Sequence, residues 1–210
     1  MTFKIFPFIL LFTFGCLVQK TAYKPIMQIT GIGDSTMAGI GLKDGQVIQT
    51  FSWNKYFDSF ENEGVSGATL EYWINNPDKR HLKTVIISIG FNNAKIESQS
   101  VTKIINLYKI MISKIFAKRI YIIGIYPMDH NLSDVWYPSA SWLTNKRIWQ
   151  INEGIRNIAE NNGYFYINTF SLFLDNFSLQ SQEGKSYDGI HPSVEAYEDV
   201  VSELRANGEL

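Results

Sequence analysis

A single cysteine in 210 residues excludes an internal disulfide framework and any Cys-x-x-Cys zinc site. Histidine is scarce as well. His81, His130 and His191 lie far apart, so neither a His-rich metal centre nor a metal-dependent chemistry is expected, and no cofactor is implied. Neither sign of charge dominates: 19 basic against 20 acidic side chains leave a net charge of −1, which argues against a broadly basic nucleic-acid binder. Charged residues make up only 19% of the chain and hydrophobic ones 45%, a balance that excludes intrinsic disorder. Repeats, low-complexity tracts and Gly/Ser-rich linkers are all missing. What remains is a globular chain of a length that suits one α/β domain.

Residues 1–20 differ from everything after them. Lys4 is the only charge before Lys20, and residues 5–14 form an almost unbroken Phe/Leu/Ile run. The run is shorter than the roughly 20 apolar residues that span a bilayer, and it fits the core of a secretory signal instead. Cys16 follows it directly and resembles the acylation site of a bacterial lipoprotein. Secretion, or residence in the periplasm or cell envelope, is therefore expected. A lipid anchor at Cys16 would be the only membrane attachment, and an uncleaved apolar tail is the alternative. A single domain is expected over residues 27–208.

Strand-like and helix-like segments alternate along that remainder. Residues 26–32, 84–89, 120–125 and 164–167 are short, mostly β-branched apolar runs, with a weaker candidate at 60–65. The second and third of these read as central strands buried on both faces, as in a parallel sheet. Apolar stripes at helical spacing run through Val101, Ile104, Tyr108, Met111 and Ile115, and through Ile148, Ile151, Ile155 and Ile158. A terminal helix carries Val194, Tyr197, Val201 and Leu204, with Pro192 suited to its first turn. This alternation predicts a three-layer α/β/α sandwich around a mainly parallel sheet.

In open parallel sheets the working site lies beyond the C-terminal strand ends. The segments that follow the candidate strands are Gly33-Asp34-Ser35, Gly64-Val65-Ser66-Gly67 and Gly90-Phe91-Asn92-Asn93, with Asp188-Gly189-Ile190-His191 near the end of the chain. A serine becomes a nucleophile only when a base takes its proton and a third group orients that base. Asp188 and His191 are spaced so that a tight turn lets the carboxylate reach one imidazole nitrogen while the other faces Ser35. A helical turn after Ser35 would aim its N–H at developing negative charge. Gly67 has no side chain to keep a substrate from its N–H, and Asn92 carries an amide NH₂ that can donate to the same oxyanion.

These blocks resemble those of the SGNH, or GDSL-type, hydrolases: Ser35 in GDS, Gly67 in GVSGAT, Asn92 in GFNN and His191 in DGIH, in the family's order. The resemblance implies a flavodoxin-like fold and ester hydrolysis through Ser35, His191 and Asp188. It also implies an oxyanion hole from the N–H groups of Ser35 and Gly67 and the side chain of Asn92. The family's third block usually reads Gly-x-Asn-Asp, whereas Asn93 takes the last position here. An α/β-hydrolase elbow, Gly-x-Ser-x-Gly, is excluded because Met37 occupies the last glycine's place.

Each signal also has a plain structural reading. Gly-Asp-Ser commonly marks a turn in which the Asp side chain bonds the backbone, Asp-x-x-His before a proline can cap a helix, and Gly67, Asn92 and Asn93 can punctuate loops. His81 reads as a solvated loop residue, His130 as structural though near the rim, and Trp149 as a packing residue. Trp136, Tyr137 and Trp142 are expected either to cover the core or to stack on substrate. The expected function is a serine esterase acting on an O-acyl group. Residues 33–38 (GDSTMA) are similar to the opening of some pectin-directed acetylesterases, which implies an acetylated glycan or another small acyl ester as the substrate partner. A lysophospholipase or thioesterase, a glycan O-acyltransferase and a non-catalytic glycan-binding relic stand as alternatives.

Overall fold

The computed structural model describes residues 28–43, 46–77, 81–136, 143–176, 178–207 and 210. The expected leader, Cys16, Tyr137 and Trp142 lie outside them. The first strand, β1 (Ile29–Gly33), runs into a four-residue helix, α1 (Ser35–Ala38). A hairpin of β2 (Ile40–Lys43) and β3 (Gln46–Gln49) follows, then a 3₁₀ turn at Trp53–Lys55, β4 (Phe60–Asn62) and α2 (Leu70–Asn75). Next come β5 (His81–Ser88), α3 (Phe91–Ala94), α4 (Val101–Ile112), β6 (Phe116–Ile123) and α5 (His130–Trp136). The chain closes with α6 (Asn145–Asn162), β7 (Phe165–Ile167), α7 (Thr169–Phe173) and α8 (Val194–Ala206).

Among the described residues, five strands join one sheet in the order β4-β1-β5-β6-β7, every pairing parallel. Counted along the sheet strands alone, this is the flavodoxin-like order 2-1-3-4-5, in which the switch point falls between the first and third strands. Here that means β1 and β5. Both feed their C-terminal ends into one crevice, where Ser35 and Asn92 directly follow.

The central strands are buried because helices cover both faces. All of β1, the last five residues of β5 and the last four of β6 are shielded from solvent. One face packs on α2, α4 and α6 through Leu70, Trp73, Ile104, Tyr108, Ile151 and Ile155. Each such fully buried side chain contributes about 1.5–3 kcal/mol. The other face is unusually aromatic: Trp53 stacks on Phe60 with 5.4 Å between ring centroids, and Phe51 stacks at 4.5 Å on Tyr197 of α8.

Side-chain caps start the long helices. Thr144 accepts from the Arg147 N–H at the head of α6, and Ser193 accepts from Ala196 N at the head of α8. Pro192, expected in the first turn of α8, precedes the cap instead, because it is held in an antiparallel bridge to Ser186. The β2–β3 hairpin is not among the elements expected from periodicity, although Asp44-Gly45 between its strands is a hairpin signal. His81 is not a loop residue but the first residue of β5, with its ring 5.7 Å from that of Phe116. Trp149, expected to pack, is 48% exposed on α6.

Candidate active site

The turn that carries Ser35 is held from several sides. Gly33 is required by space: a Cβ there would stand 2.0 Å from the Ser88 carbonyl oxygen. Asp34 caps α1, its Oδ1 accepting from Thr36 N at 2.9 Å and from Thr36 Oγ1 at 2.7 Å. The turn expected for Asp34 is thus present. Because α1 ends after four residues at Gly39, in left-handed conformation with φ of 70°, its carbonyls need partners from outside the helix. Distant side chains supply them. Trp53 Nε1 and Asn62 Nδ2 donate to Met37 O at 2.9 and 3.0 Å and Tyr197 Oη to Thr36 O at 2.7 Å, while Trp73 Nε1 holds the end of β1 by donating to Gly33 O at 3.1 Å. Held from the 3₁₀ turn, β4, α2 and α8 at once, Ser35 has little freedom to shift.

The second half of the site is the loop before α8. Gly189 has φ of 83°, and a Cβ there would meet the Asp129 carbonyl oxygen and Ser133 N at 2.4 Å, so only glycine fits. The turn brings Asp188 under His191. Asp188 Oδ1 accepts from Ile190 N at 2.9 Å and His191 N at 2.7 Å, while Oδ2 lies 2.6 Å from His191 Nδ1. A carboxylate only accepts, so Nδ1 carries the proton and Nε2 is left with a lone pair. That lone pair faces Ser35, whose Oγ donates to Nε2 at 2.9 Å. The Asp188 side chain is fully buried and that of His191 is 13% exposed. Burial opposes the charge on Asp188, but the hydrogen bonds and attraction of His191 prevail and hold its carboxyl below the ordinary value.

Asp34 behaves in the opposite way. Burial pushes its carboxyl above the ordinary value, against the bonds from Thr36, the attraction of His191 and the nearby Gly90 N–H. Of the two, Asp188, hydrogen-bonded to His191, is the carboxyl group whose charged form is favoured.

Across the crevice stand the other expected residues. The loop after β4 is tied to β1 by Val65 N donating to Gly33 O at 3.0 Å, and a Cβ on Gly64 would meet Ala38 N at 2.3 Å. That loop therefore rides directly on α1. Gly67 is exposed and has φ of 78°, with open space around it, so its glycine is demanded by backbone conformation and not by crowding. Asn92 Nδ2 donates one hydrogen to Ala68 O at 3.0 Å, which orients the amide and leaves its second N–H. Ser35, His191 and Asp188 are thus joined by hydrogen bonds, and the Asn92 amide is bonded to the carbonyl of the residue that follows Gly67.

Several supporting residues have no recognisable sign in the sequence. Tyr197 reads there only as part of an apolar stripe, Trp53 and Trp73 belong to no motif, and Asn93 shows only as a departure from a family pattern. A tryptophan or tyrosine that binds a backbone carbonyl far along the chain leaves no local pattern. His130 begins α5, where its N–H donates to Gln180 Oε1 at 2.7 Å. Among the described residues no group of three or more His, Cys, Asp or Glu side chains is placed to hold a metal ion.

Residues 32–198 match the sequence model of the GDSL-like lipase/acylhydrolase family. No curated protein matches the chain significantly. The fold is similar to that of a lipase/acylhydrolase from Enterococcus faecalis, with a TM-score of 0.62, 20% identity, and coverage of 86% of this chain and 96% of that one. It is similar as well to an acetylxylan esterase from Geobacillus stearothermophilus, at a TM-score of 0.60 and 17% identity over 87% of this chain and 94% of the other. A carbohydrate acetylesterase from Sinorhizobium meliloti aligns at a TM-score of 0.61 and 15% identity over 85% and 98% of the two chains. At such identities the structures speak for the fold, while the sequence model speaks for the family. Because that match runs from the end of β1 into α8, the chain belongs to the GDSL-like lipase/acylhydrolase family and is a serine hydrolase acting on ester bonds.

Proposed function

We propose that this hydrolase removes O-acetyl groups from carbohydrate, with Ser35 as nucleophile, His191 as general base and Asp188 as the carboxylate that orients it. The observation that carries the chemistry is the unbroken path of hydrogen bonds from Ser35 Oγ through the imidazole to Asp188. As Oγ bonds to the ester carbon, its proton passes to Nε2, and Asp188 stabilises the imidazolium that forms. The carbonyl oxygen becomes an oxyanion held by the N–H groups of Ser35 and Gly67 and the second N–H of the Asn92 amide. Collapse breaks the bond to the sugar oxygen, which takes the proton from Nε2. Water then repeats the sequence on the acyl-enzyme, returning Ser35 and releasing acetate.

Two features support the acetyl–carbohydrate reading. The GDSTMA segment is similar to the start of some pectin-directed acetylesterases, and the structural neighbours include an acetylxylan esterase and a carbohydrate acetylesterase. Export, which the apolar stretch of residues 5–14 supports, would bring the enzyme to acetylated glycans outside the cell or in its envelope, either free or anchored at Cys16.

The test is a panel of p-nitrophenyl esters of increasing acyl length. In an apolar groove each added methylene improves kcat/KM by about 0.8 kcal/mol, roughly fourfold. In a small pocket overpacking reverses that trend at a cost of about 1–3 kcal/mol. Acetyl is expected to exceed butyryl, with octanoyl nearly inert. Rates that climb to octanoyl would replace this reading with a lysophospholipase.

The role of Asn92 is checked separately. Asn92→Ala should lower kcat by about 10²–10³-fold with little change in KM, as loss of one oxyanion donor does elsewhere. A change confined to KM would make Asn92 a substrate-positioning residue instead.

A further inference from the structure

One residue beyond Asn92, a closed triangle of side chains lies beneath the crevice. Asn93 is completely buried. Its Nδ2 donates to Glu71 Oε2 at 2.7 Å and to Gln99 Oε1 at 3.1 Å, and Gln99 Nε2 donates to Glu71 Oε1 at 3.0 Å. Asn93 Oδ1 accepts from Leu70 N, the first N–H of α2, at 2.8 Å. Each orientation forces the next. The Glu71 carboxylate can only accept, so Gln99 turns its NH₂ toward Glu71 and its oxygen toward Asn93. Asn93 must then donate to both and keep its oxygen for Leu70.

This triangle touches the oxyanion residues through the backbone. Asn92 grips Ala68 O and Asn93 grips Leu70 N, so adjacent asparagines hold the strip that immediately follows Gly67. Arg147 of α6 secures the other end, donating from Nε to Ala94 O at 3.1 Å and from Nη2 to Gln99 O. These contacts tie the strip after Gly67 to the segment that carries Asn92.

We infer that Glu71, Gln99 and Asn93 form one hydrogen-bonded positioning unit for the oxyanion hole, in which Glu71 supplies the carboxylate that the family pattern carries at position 93. The inference rests on the Ser35 hydrolase reading. Burial opposes the charge on Glu71, but Asn93, its own N–H, Thr69 and Gln99 hold the carboxyl below its ordinary value. An aspartate at 93 would set two carboxylates against each other and leave only one of the three contacts joining donor to acceptor.

The triangle can be satisfied in a second way, which gives the test. In E71Q/Q99E the amide and the carboxylate change places: Asn93 still donates to both neighbours, and the amide, now at position 71, donates to the carboxylate at position 99. Each single change spoils a contact: E71Q sets two NH₂ groups together, and Q99E sets two carboxylates together. Kinetics on p-nitrophenyl acetate, normalised to serine titrated with a fluorophosphonate, are measured beside Tm for wild type, E71Q, Q99E, the exchanged E71Q/Q99E protein and N93D. Each single exchange variant should lose about tenfold in kcat with KM within about twofold. The double variant should return to within about threefold of wild type, and N93D should fall by about a hundredfold.

Losses that simply multiply in the double variant would overturn the inference. So would coupling visible in Tm while kcat per titrated serine stays constant, since that is a structural role alone. If N93D does not fold, the exchange pair still decides the matter. A wild type that neither turns over ester nor reacts with the fluorophosphonate would overturn the hydrolase reading itself, an outcome distinct from active variants that show no coupling.

Discussion

Replacing Ser35 with alanine is expected to reduce ester turnover by about 10⁴–10⁶-fold while leaving the fold and Tm nearly unchanged. The size follows from what the substitution removes. His191 Nε2 loses the hydroxyl it activates at 2.9 Å, so no covalent intermediate can form, and what persists is attack by water helped by the oxyanion donors and by binding. The mildness toward folding follows from where Ser35 sits. The turn is held by Asp34 on Thr36, by Trp53 and Asn62 on Met37 O, and by Tyr197 on Thr36 O, none of which uses the serine hydroxyl. Turnover of p-nitrophenyl acetate and covalent labelling by a fluorophosphonate measure the effect together. Labelling should vanish with activity. A Ser35→Ala protein that keeps most of either would remove Ser35 from the chemistry and end the proposed mechanism.

Most of what bears on that experiment is legible in the amino-acid sequence, for a physical reason. Strands buried on both faces are continuous apolar runs, so residues 84–89 and 120–125 stand out, and they overlap the C-terminal parts of β5 and β6, running one and two residues past their ends. The outer halves, from His81 and from Phe116, are partly exposed and mixed in polarity, and they escape the same criterion. Reactive groups follow strand ends in parallel sheets, so Ser35, Gly67 and Asn92 can be placed on one rim before any coordinates, and the resemblance to a known family orders them. The support beneath the site is another matter. Tyr197 reaches Thr36 across 161 positions of sequence, and Trp73 reaches Gly33 across 40. A stripe at helical spacing says that Tyr197 faces inward but not that its hydroxyl ends on the carbonyl of the residue after Ser35. Asn93 is the sharpest case. Its difference from the family pattern is visible in one line of sequence, while the two partners that make an amide suitable there lie on α2 and in the loop before α4. Pro192 misleads for a smaller reason: a proline suits the first turn of a helix, but here Ser193 is the cap and the helix begins at Val194, which leaves Pro192 before it in the bridge to Ser186.

Asp188→Asn offers a harder test than deletion of the carboxylate, because it keeps shape and removes one acceptor. Asp188 makes two kinds of contact, Oδ1 with the N–H groups of Ile190 and His191 and Oδ2 with His191 Nδ1. An asparagine must keep its single oxygen on the two backbone donors, since turning NH₂ toward them would leave both N–H groups buried without acceptors at about 1–3 kcal/mol each. Its NH₂ therefore faces Nδ1, and the imidazole answers by moving its proton to Nε2. In that tautomer Nε2–H points at Ser35 Oγ and can no longer take its proton. The expected outcome is a loss of about ten-thousandfold in kcat with KM little changed, since the crevice itself is intact. Stability should respond to pH in a matching way. The Asp188 carboxyl is held below its ordinary value of 3.8, so its stabilising contribution is complete above that pH and lost as pH falls through the lower folded value. The wild-type Tm should thus drop more steeply on acidification below about pH 4 than that of the variant, which carries no titrating group there. Substitution by alanine would confuse these effects by opening a cavity and orphaning two amides at once. Activity of Asp188→Asn within tenfold of wild type would mean that His191 holds its productive tautomer without the carboxylate, and the assignment of Asp188 as the orienting group would fall.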